Sequence, residues 1–279
     1  MIFILSTERA GSTLLRVLLD SHPQVAAPGE LGLGDLCHRL LIILTRTLGQ
    51  TESPASPLST DLWLAGVAPQ GEAAAKVLAE TRAVVDGILS RYARACGKER
   101  WCNKTPSDLP YAELLRLLFP EARFLCLHRH GYDVVASCLE VSRYGYMREL
   151  APYVMSSPSN TVAAMMRSWV EKTEQILQFE SYWSQQCMRL RYEDLVSQPQ
   201  STLEAVLRFL DLRPCPDLHT SALQHPHHKG GGDPRIWTTE GLESDRIGAG
   251  KKLPKALLPR ALADQAATLL DKLGYPVIC

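Results

Sequence analysis

Apolar residues in this chain recur in two ways, as short unbroken runs and as longer stretches with a three-to-four-residue repeat. Ile2-Phe3-Ile4-Leu5-Ser6 is an unbroken run, the pattern of a strand buried on both faces of a parallel sheet. From Ser12 the apolar positions Leu14, Leu15, Val17, Leu18 and Leu19 keep helical spacing until Ser21-His22-Pro23, where proline ends the helix. The same pair returns as a strand over 123–128 and a helix over 133–141, and again as a strand over 187–191 with a helix near 200–211. Further helical stretches fall at 33–48, 72–96, 108–118, 160–184 and 255–273, while Pro/Ser-rich 49–61 and His/Gly-rich 224–234 read as loops. Strands alternating with helices in this way predict an α/β fold, a parallel sheet flanked by helices, with residues 1–279 forming one domain.

Composition narrows the function classes. Thirty basic and thirty acidic residues cancel, which argues against a protein that coats nucleic acid or an anionic membrane. An anionic ligand must therefore meet a local cluster of charge. Eight cysteines are spread without a C-x-x-C pair, so neither a disulfide framework nor a zinc site is expected. The run His225-Pro-His227-His228-Lys229 has no helical i, i+4 histidine pair and reads as loop histidines near an anionic ligand rather than as a metal site. The opening apolar run is too short for a secretory leader and no stretch is long enough to span a bilayer, so the expected location is cytoplasmic.

The first strand and helix are joined by Ser6-Thr7-Glu8-Arg9-Ala10-Gly11-Ser12-Thr13. A helix N-terminus presents free N–H groups and the positive end of its dipole, so this loop is a candidate phosphate cradle. Gly11 lets the backbone approach a ligand, Ala10 lies beside it, Ser12 and Thr13 offer hydroxyls, and the Arg9 guanidinium suits phosphate or sulfate oxygens. A plain turn with a capping serine is the structural alternative. Against the nucleotide-triphosphatase loop G-x-x-x-x-G-K-[ST], Ser6 replaces the first glycine and Ser12 the lysine, which disfavours a metal-dependent kinase or ATPase. A second constellation places Arg129 just past a strand and Ser137 on the following helix. Ligands collect at the carboxyl ends of parallel strands, where Arg9 and Arg129 would both lie.

Taken together, Thr7-x-Arg9-x-Gly11-Ser12-Thr13 and Leu-x-x-Arg129-x-x-x-x-Val-x-x-Ser137 resemble the two cofactor motifs of the sulfotransferase superfamily. The resemblance implies that the first motif binds the 5′-phosphosulfate of 3′-phosphoadenosine 5′-phosphosulfate (PAPS), and that Arg129 and Ser137 bind its 3′-phosphate. Leu190-Arg-Tyr192-Glu-Asp-Leu is similar to a family stretch whose tyrosine contacts the cofactor. The likeness is greatest to tyrosylprotein sulfotransferases and to sulfotransferase domains of bacterial polyketide synthases. It rests on Leu19–Val25 with Pro28-Gly29-Glu30-Leu31, on Trp101-Cys-Asn103-Lys104-Thr-Pro106, and on Gly232-Asp233-Pro234 with Arg246-Ile-Gly248.

By this resemblance Glu30 is the catalytic glutamate and Lys104 the lysine at the sulfuryl group, and their chemistry agrees. A carboxylate within reach of an acceptor hydroxyl can take its proton, while Lys104 and Arg9 can stabilise charge on the transferring group and the leaving oxygen. His22 and His128 are the alternative bases. The closing cofactor loop departs from the family pattern, since Ala249-Gly250-Lys251-Lys252 stands where a tryptophan is usual. Arg246, Lys252 and Thr238 are its candidates. The expected partner is a hydroxyl-bearing acceptor, a carrier-tethered or natural-product β-hydroxyl with a tyrosine or a small alcohol as alternatives, and no metal is expected. A kinase-like enzyme on the same fold and a non-catalytic binding protein are the rival readings.

Overall fold

The computed structural model describes residues 1–48, 63–67, 71–145, 147–224, 227, 233, 236, 241–242 and 244–276. Five strands, β1 (Ile2–Ser6), β2 (Val25–Ala26), β3 (Arg100–Lys104), β4 (Arg123–His128) and β5 (Cys187–Arg191), form one parallel sheet in the order β2-β3-β1-β4-β5. Helix α1 (Ser12–Ser21) follows β1, and α2 (Leu33–Leu48) and α3 (Glu72–Ala95) lie between β2 and β3. A 3-10 turn (Pro106–Tyr111) and α4 (Ala112–Leu118) lead to β4, and α5 (Gly131–Ser142), α6 (Ala151–Ser156) and α7 (Thr161–Tyr182) lead to β5. After β5 come α8 (Tyr192–Ser197), α9 (Pro199–Phe209), α10 (Leu218–Ser221) and α11 (Arg260–Lys272).

The central strand β1 is buried along its whole length, which is why its sequence shows no polar alternation. Successive side chains still point to opposite faces. Phe3 and Leu5 enter a layer with α2, α3, α4 and the C-terminal half of α7, while Ile2 and Ile4 enter a layer with α1, α8 and α9. On the first face Phe3 stacks on Phe124 at 5.2 Å and meets the edge of Trp101 at 5.5 Å, so aromatics from β1, β3 and β4 lock the three strands together. A third cluster joins α5, α7 and α11 through Val135, Trp169 and Leu270.

Register brings the chemistry to one edge. Ile4 pairs with Lys104 and Ser6 with Leu127, so the chain leaves β1, β3 and β4 close to the same level, carrying Arg9, Lys104 and Arg129 with it. The α/β expectation holds, with differences of detail. Strands β2 and β3 carry no sequence signal of the kind that marks β1. Arg100-Trp-Cys-Asn-Lys is mixed in polarity, yet pairing with β1 on one side and β2 on the other makes it interior. The helix expected over 108–118 is divided, because Pro110 sits in a 3-10 turn and the α-helix begins at Ala112. The last helix begins at Arg260 behind Pro259. The loop expected over 49–61 lies outside the described residues.

Candidate active site

At the carboxyl edge of the sheet is a cavity of about 580 Å³ lined by Arg9, Gly11, Ser12, Thr13, Glu30, Arg129, Ser137, Tyr192 and Arg246, among others. It lies where α1 begins. Gly11, not a serine, occupies the N-cap position of α1, with φ 94° and no side-chain cap. A β-carbon on Gly11 would collide with the Tyr192 ring, so glycine is required both by conformation and by the close approach of that ring. Arg9 also holds a left-handed φ of 61°, uncommon outside glycine. Its carbonyl accepts a hydrogen bond from Arg129 Nη1 at 3.0 Å, and its own Nε donates to Ser137 Oγ at 3.1 Å. The two cation-bearing segments thus hold each other. Ala10 is fully buried beside the cradle, and its side chain does not line the cavity.

Arg129 is 94% buried by its 6% exposure, and its guanidinium lies 4.3 Å from the centre of the Tyr192 ring. Burial lifts the Tyr192 phenol above its ordinary pKa, with the Arg129 charge pulling the other way, so the ring stays neutral at physiological pH. Arg129 Nη2 also donates to the Arg246 carbonyl at 3.1 Å. The Arg246 segment is fixed further by Asp133 at the start of α5, whose carboxylate accepts the Gly248 N–H at 2.8 Å and the Gly250 N–H at 2.7 Å. Gly250 packs so closely on the Tyr132 backbone that a β-carbon would overlap it. Arg246 itself is paired with Glu140 at 3.1 Å.

Beside the phosphate loop, Glu30, which lines the cavity, forms an ion pair with Lys104, which does not, and Lys104 Nζ also donates to Thr13 Oγ1 at 3.3 Å. Lys104 is almost wholly buried. That burial lowers its pKa from the ordinary lysine value, and the attraction of Glu30 only partly restores it. Arg9 is paired with Asp233 at 2.6 Å, and the Asp233 N–H donates to Thr13 Oγ1 at 3.1 Å, which brings a third segment to the same cradle.

Not every candidate meets the cavity. Lys252 is exposed on the turn after Gly248 and does not line it, and Thr238 lies outside the described residues. His22 and His128 are both buried away from it. His22 accepts the Gln24 N–H at Nδ1 and meets the Arg213 carbonyl at Nε2, and His128 is held by Glu180 at 2.7 Å. His227 binds Asp20 and the Ala222 carbonyl at the far end of α1, a structural role in place of the anion-facing one expected for this run; His225 and His228 lie outside the described residues. Among the described residues no group of histidines, cysteines and carboxylates is arranged to hold a metal ion. Sequence reasoning missed Glu8, which lines the cavity and is paired with Lys172 of α7 at 2.5 Å, and it missed Asp133. Both carboxylates stood inside the motifs already singled out, next to Arg9 and four residues past Arg129.

Comparison with known proteins gives a consistent picture. A family model described as the sulfotransferase family matches residues 2–217. Protein-tyrosine sulfotransferase A of Caenorhabditis elegans is 26% identical over 212 residues, covering 76% of this chain and 50% of that protein. The Drosophila melanogaster protein-tyrosine sulfotransferase is 28% identical over 217 residues, covering 76% and 38%. The chain spans about half or less of the length of such curated relatives. Among solved structures, the sulfotransferase domain of the Synechococcus olefin synthase superposes with a TM-score of 0.67 at 24% identity, covering all of this chain and 95% of that one. The sulfotransferase domain of the curacin biosynthetic pathway gives 0.68 at 23%, covering 100% and 98%. These two share the fold.

Proposed function

The chain belongs to the sulfotransferase family, and from that premise we propose that it transfers a sulfuryl group from PAPS to an acceptor hydroxyl. The observation that carries the proposal is the convergence of Arg9, Arg129, Glu30 and the uncapped start of α1 on one cavity, with Lys104 bonded to both Glu30 and Thr13. The residues present fit such a ligand. Arg129 Nε is buried with no hydrogen-bond partner among the described residues, and α1 starts at Gly11 with no side-chain cap, the kind of helix N-terminus that meets an anion. PAPS would supply the activated sulfuryl group. In this reading Arg9, Gly11, Ser12 and Thr13 hold the phosphosulfate end. Arg129, Ser137 and Arg246 hold the 3′-phosphate, with Tyr192 behind them. Lys104 and Arg9 offset charge that develops at the sulfuryl group, and Glu30 takes the acceptor proton.

The acceptor is read from likeness. Sequence relatives named as protein-tyrosine sulfotransferases support a tyrosine hydroxyl, and the fold likeness to domains of two biosynthetic enzymes supports a hydroxyl on a carrier-tethered chain. We favour the tethered hydroxyl, since those two superpositions cover the whole chain. The seven described cysteines are all free thiols, which supports a reducing, cytoplasmic setting, and no described helix is long and apolar enough to cross a membrane. The test is calorimetric titration with 3′-phosphoadenosine 5′-phosphate (PAP) and with ATP, beside a mass-spectrometric screen of a tyrosine peptide, a carrier-tethered β-hydroxyl and a free alcohol. Tight PAP binding and an 80-dalton gain on one acceptor are expected, the mass of one sulfuryl group by elementary composition, about 80. ATP binding in place of PAP would favour the kinase-like rival.

A further inference from the structure

Glu30 sits on a loop, and loops do not hold a catalytic group in place by themselves. On its upstream side the loop is pinned by α1. Arg16 Nη1 donates to the Ala27 carbonyl at 2.8 Å, and the Ala27 N–H donates to Asp20 Oδ1 at 2.8 Å. On its downstream side the hydrogen bonds among the described residues come from the segment that carries Lys104. The Leu31 N–H donates to Thr105 Oγ1 at 3.1 Å, and the Gly34 N–H donates to Asp108 Oδ1 at 2.9 Å. The other carboxylate oxygen of Asp108 accepts Asn103 Nδ2 at 2.9 Å, next to Lys104 itself.

Asp108 is only 2% exposed, a costly place for a carboxylate unless its hydrogen bonds are satisfied. Burial lifts its pKa above the ordinary aspartate value, and hydrogen bonds from Asn103, Gly34, Leu33 and Thr105 oppose the rise. Its position answers the need of α2, whose first N–H groups have no partner within the helix. A β-carbon on Gly34 would come within 2.6 Å of Tyr111, so α2 is seated directly on the 3-10 turn that holds Asp108.

We infer that Asp108 is a positioning residue: by binding Asn103 with one oxygen and the start of α2 with the other, it fixes the distance between Glu30 and Lys104. One segment, 103–108, thereby supplies the lysine and also sets where the opposing glutamate stands. The inference rests on the reading of Glu30 as the base.

The test has an arm that needs no acceptor. Amide hydrogen exchange followed by NMR in Asp108→Ala should show faster exchange at Leu31 and Gly34, with Arg9–Thr13 unchanged and PAP affinity within about twofold of wild type. In the second arm, with the acceptor that yields product in the screen, kcat should fall about 10–100-fold, the scale of misplacing a reacting group. Asp108→Asn, which keeps an acceptor for the Gly34 N–H, should recover part of both losses. In a Glu30→Gln background Asp108→Ala should cost nothing further, whereas a general loss of stability would add to it. Unchanged exchange at Leu31 and Gly34, or additive losses in the double variant, overturns the positioning role. Wild-type turnover by Glu30→Gln alone would instead remove Glu30 as base, while the exchange arm still judges what Asp108 holds.

Discussion

The two walls of the cavity are built by different means. The phosphate wall is local: a buried strand, a loop with left-handed Arg9 and Gly11, and a helix that starts without a side-chain cap, all within residues 2–13. The Glu30 wall is assembled from afar, since the partners that fix it are Arg16 and Asp20 on one side and Thr105 and Asp108, more than seventy residues away, on the other. A local wall takes its backbone shape from a short motif, which remote residues such as Arg129 and Tyr192 then brace. A distributed wall fails when any of its distant holders is lost.

If the walls divide the labour, binding and chemistry should separate on mutation. The largest effect is expected at the distributed wall. Glu30→Gln keeps the size of the side chain and removes the base, so turnover should drop about 10²–10⁴-fold with PAP affinity little changed. Steady-state kinetics beside calorimetry will check this, and equal losses in rate and affinity would erase the division.

The brace that the β4 end gives the local wall is probed by Arg129→Ala. Losing a charge-assisted contact costs about 1.5–3 kcal/mol, or roughly ten- to 150-fold in PAP affinity. Because Arg129 also supports the Arg9 and Arg246 carbonyls, the loss should lie toward the upper end. PAP binding at wild-type strength would take Arg129 out of the cradle.

The smallest effect concerns Lys104, which touches both walls through Glu30 and Thr13. Its pKa is lowered by burial, so the charged form is present below that value and is lost as pH rises through it. The rate should therefore begin to fall at a pH under the ordinary lysine value of about 10.4. Lys104→Arg, whose charge does not titrate, should move the alkaline limb outward. A limb that stays put in that variant belongs to another group.

The same contrast explains what could be read from the chain alone. β1, α1, β4 and α5 were legible because unbroken apolar runs and helical spacing are properties of consecutive residues. So was the phosphate loop, whose requirement for Gly11 is in part a matter of backbone conformation, though the Tyr192 ring that also demands it is remote. β3 was hidden, since its interior position comes from neighbours on both sides and its polar residues find partners on remote segments, Arg100 at the Leu210 carbonyl, Asn103 at Asp108 and Lys104 at Glu30. Asp108 and Asp133 were hidden for a related reason. Each binds backbone N–H groups of a remote segment, and backbone partners leave no mark in side-chain sequence. His227 was misjudged because proximity in sequence to the Asp233 segment did not imply proximity to the cradle; it closes on Asp20 instead.

The parallel pairing of β1 with β4 has a consequence for how this chain can diverge. Ser6 stands opposite Leu127, and the two arginines follow three and two residues later. A single inserted or deleted codon in either strand would shift one arginine by about 3.3 Å against the other and turn the strand's buried side chains to the wrong face. Length changes are thus barred from 2–13 and 123–129 even where substitutions are allowed. Descendants of this gene should vary in these two stretches by replacement alone, and take up their gains and losses of residues in the connections between elements.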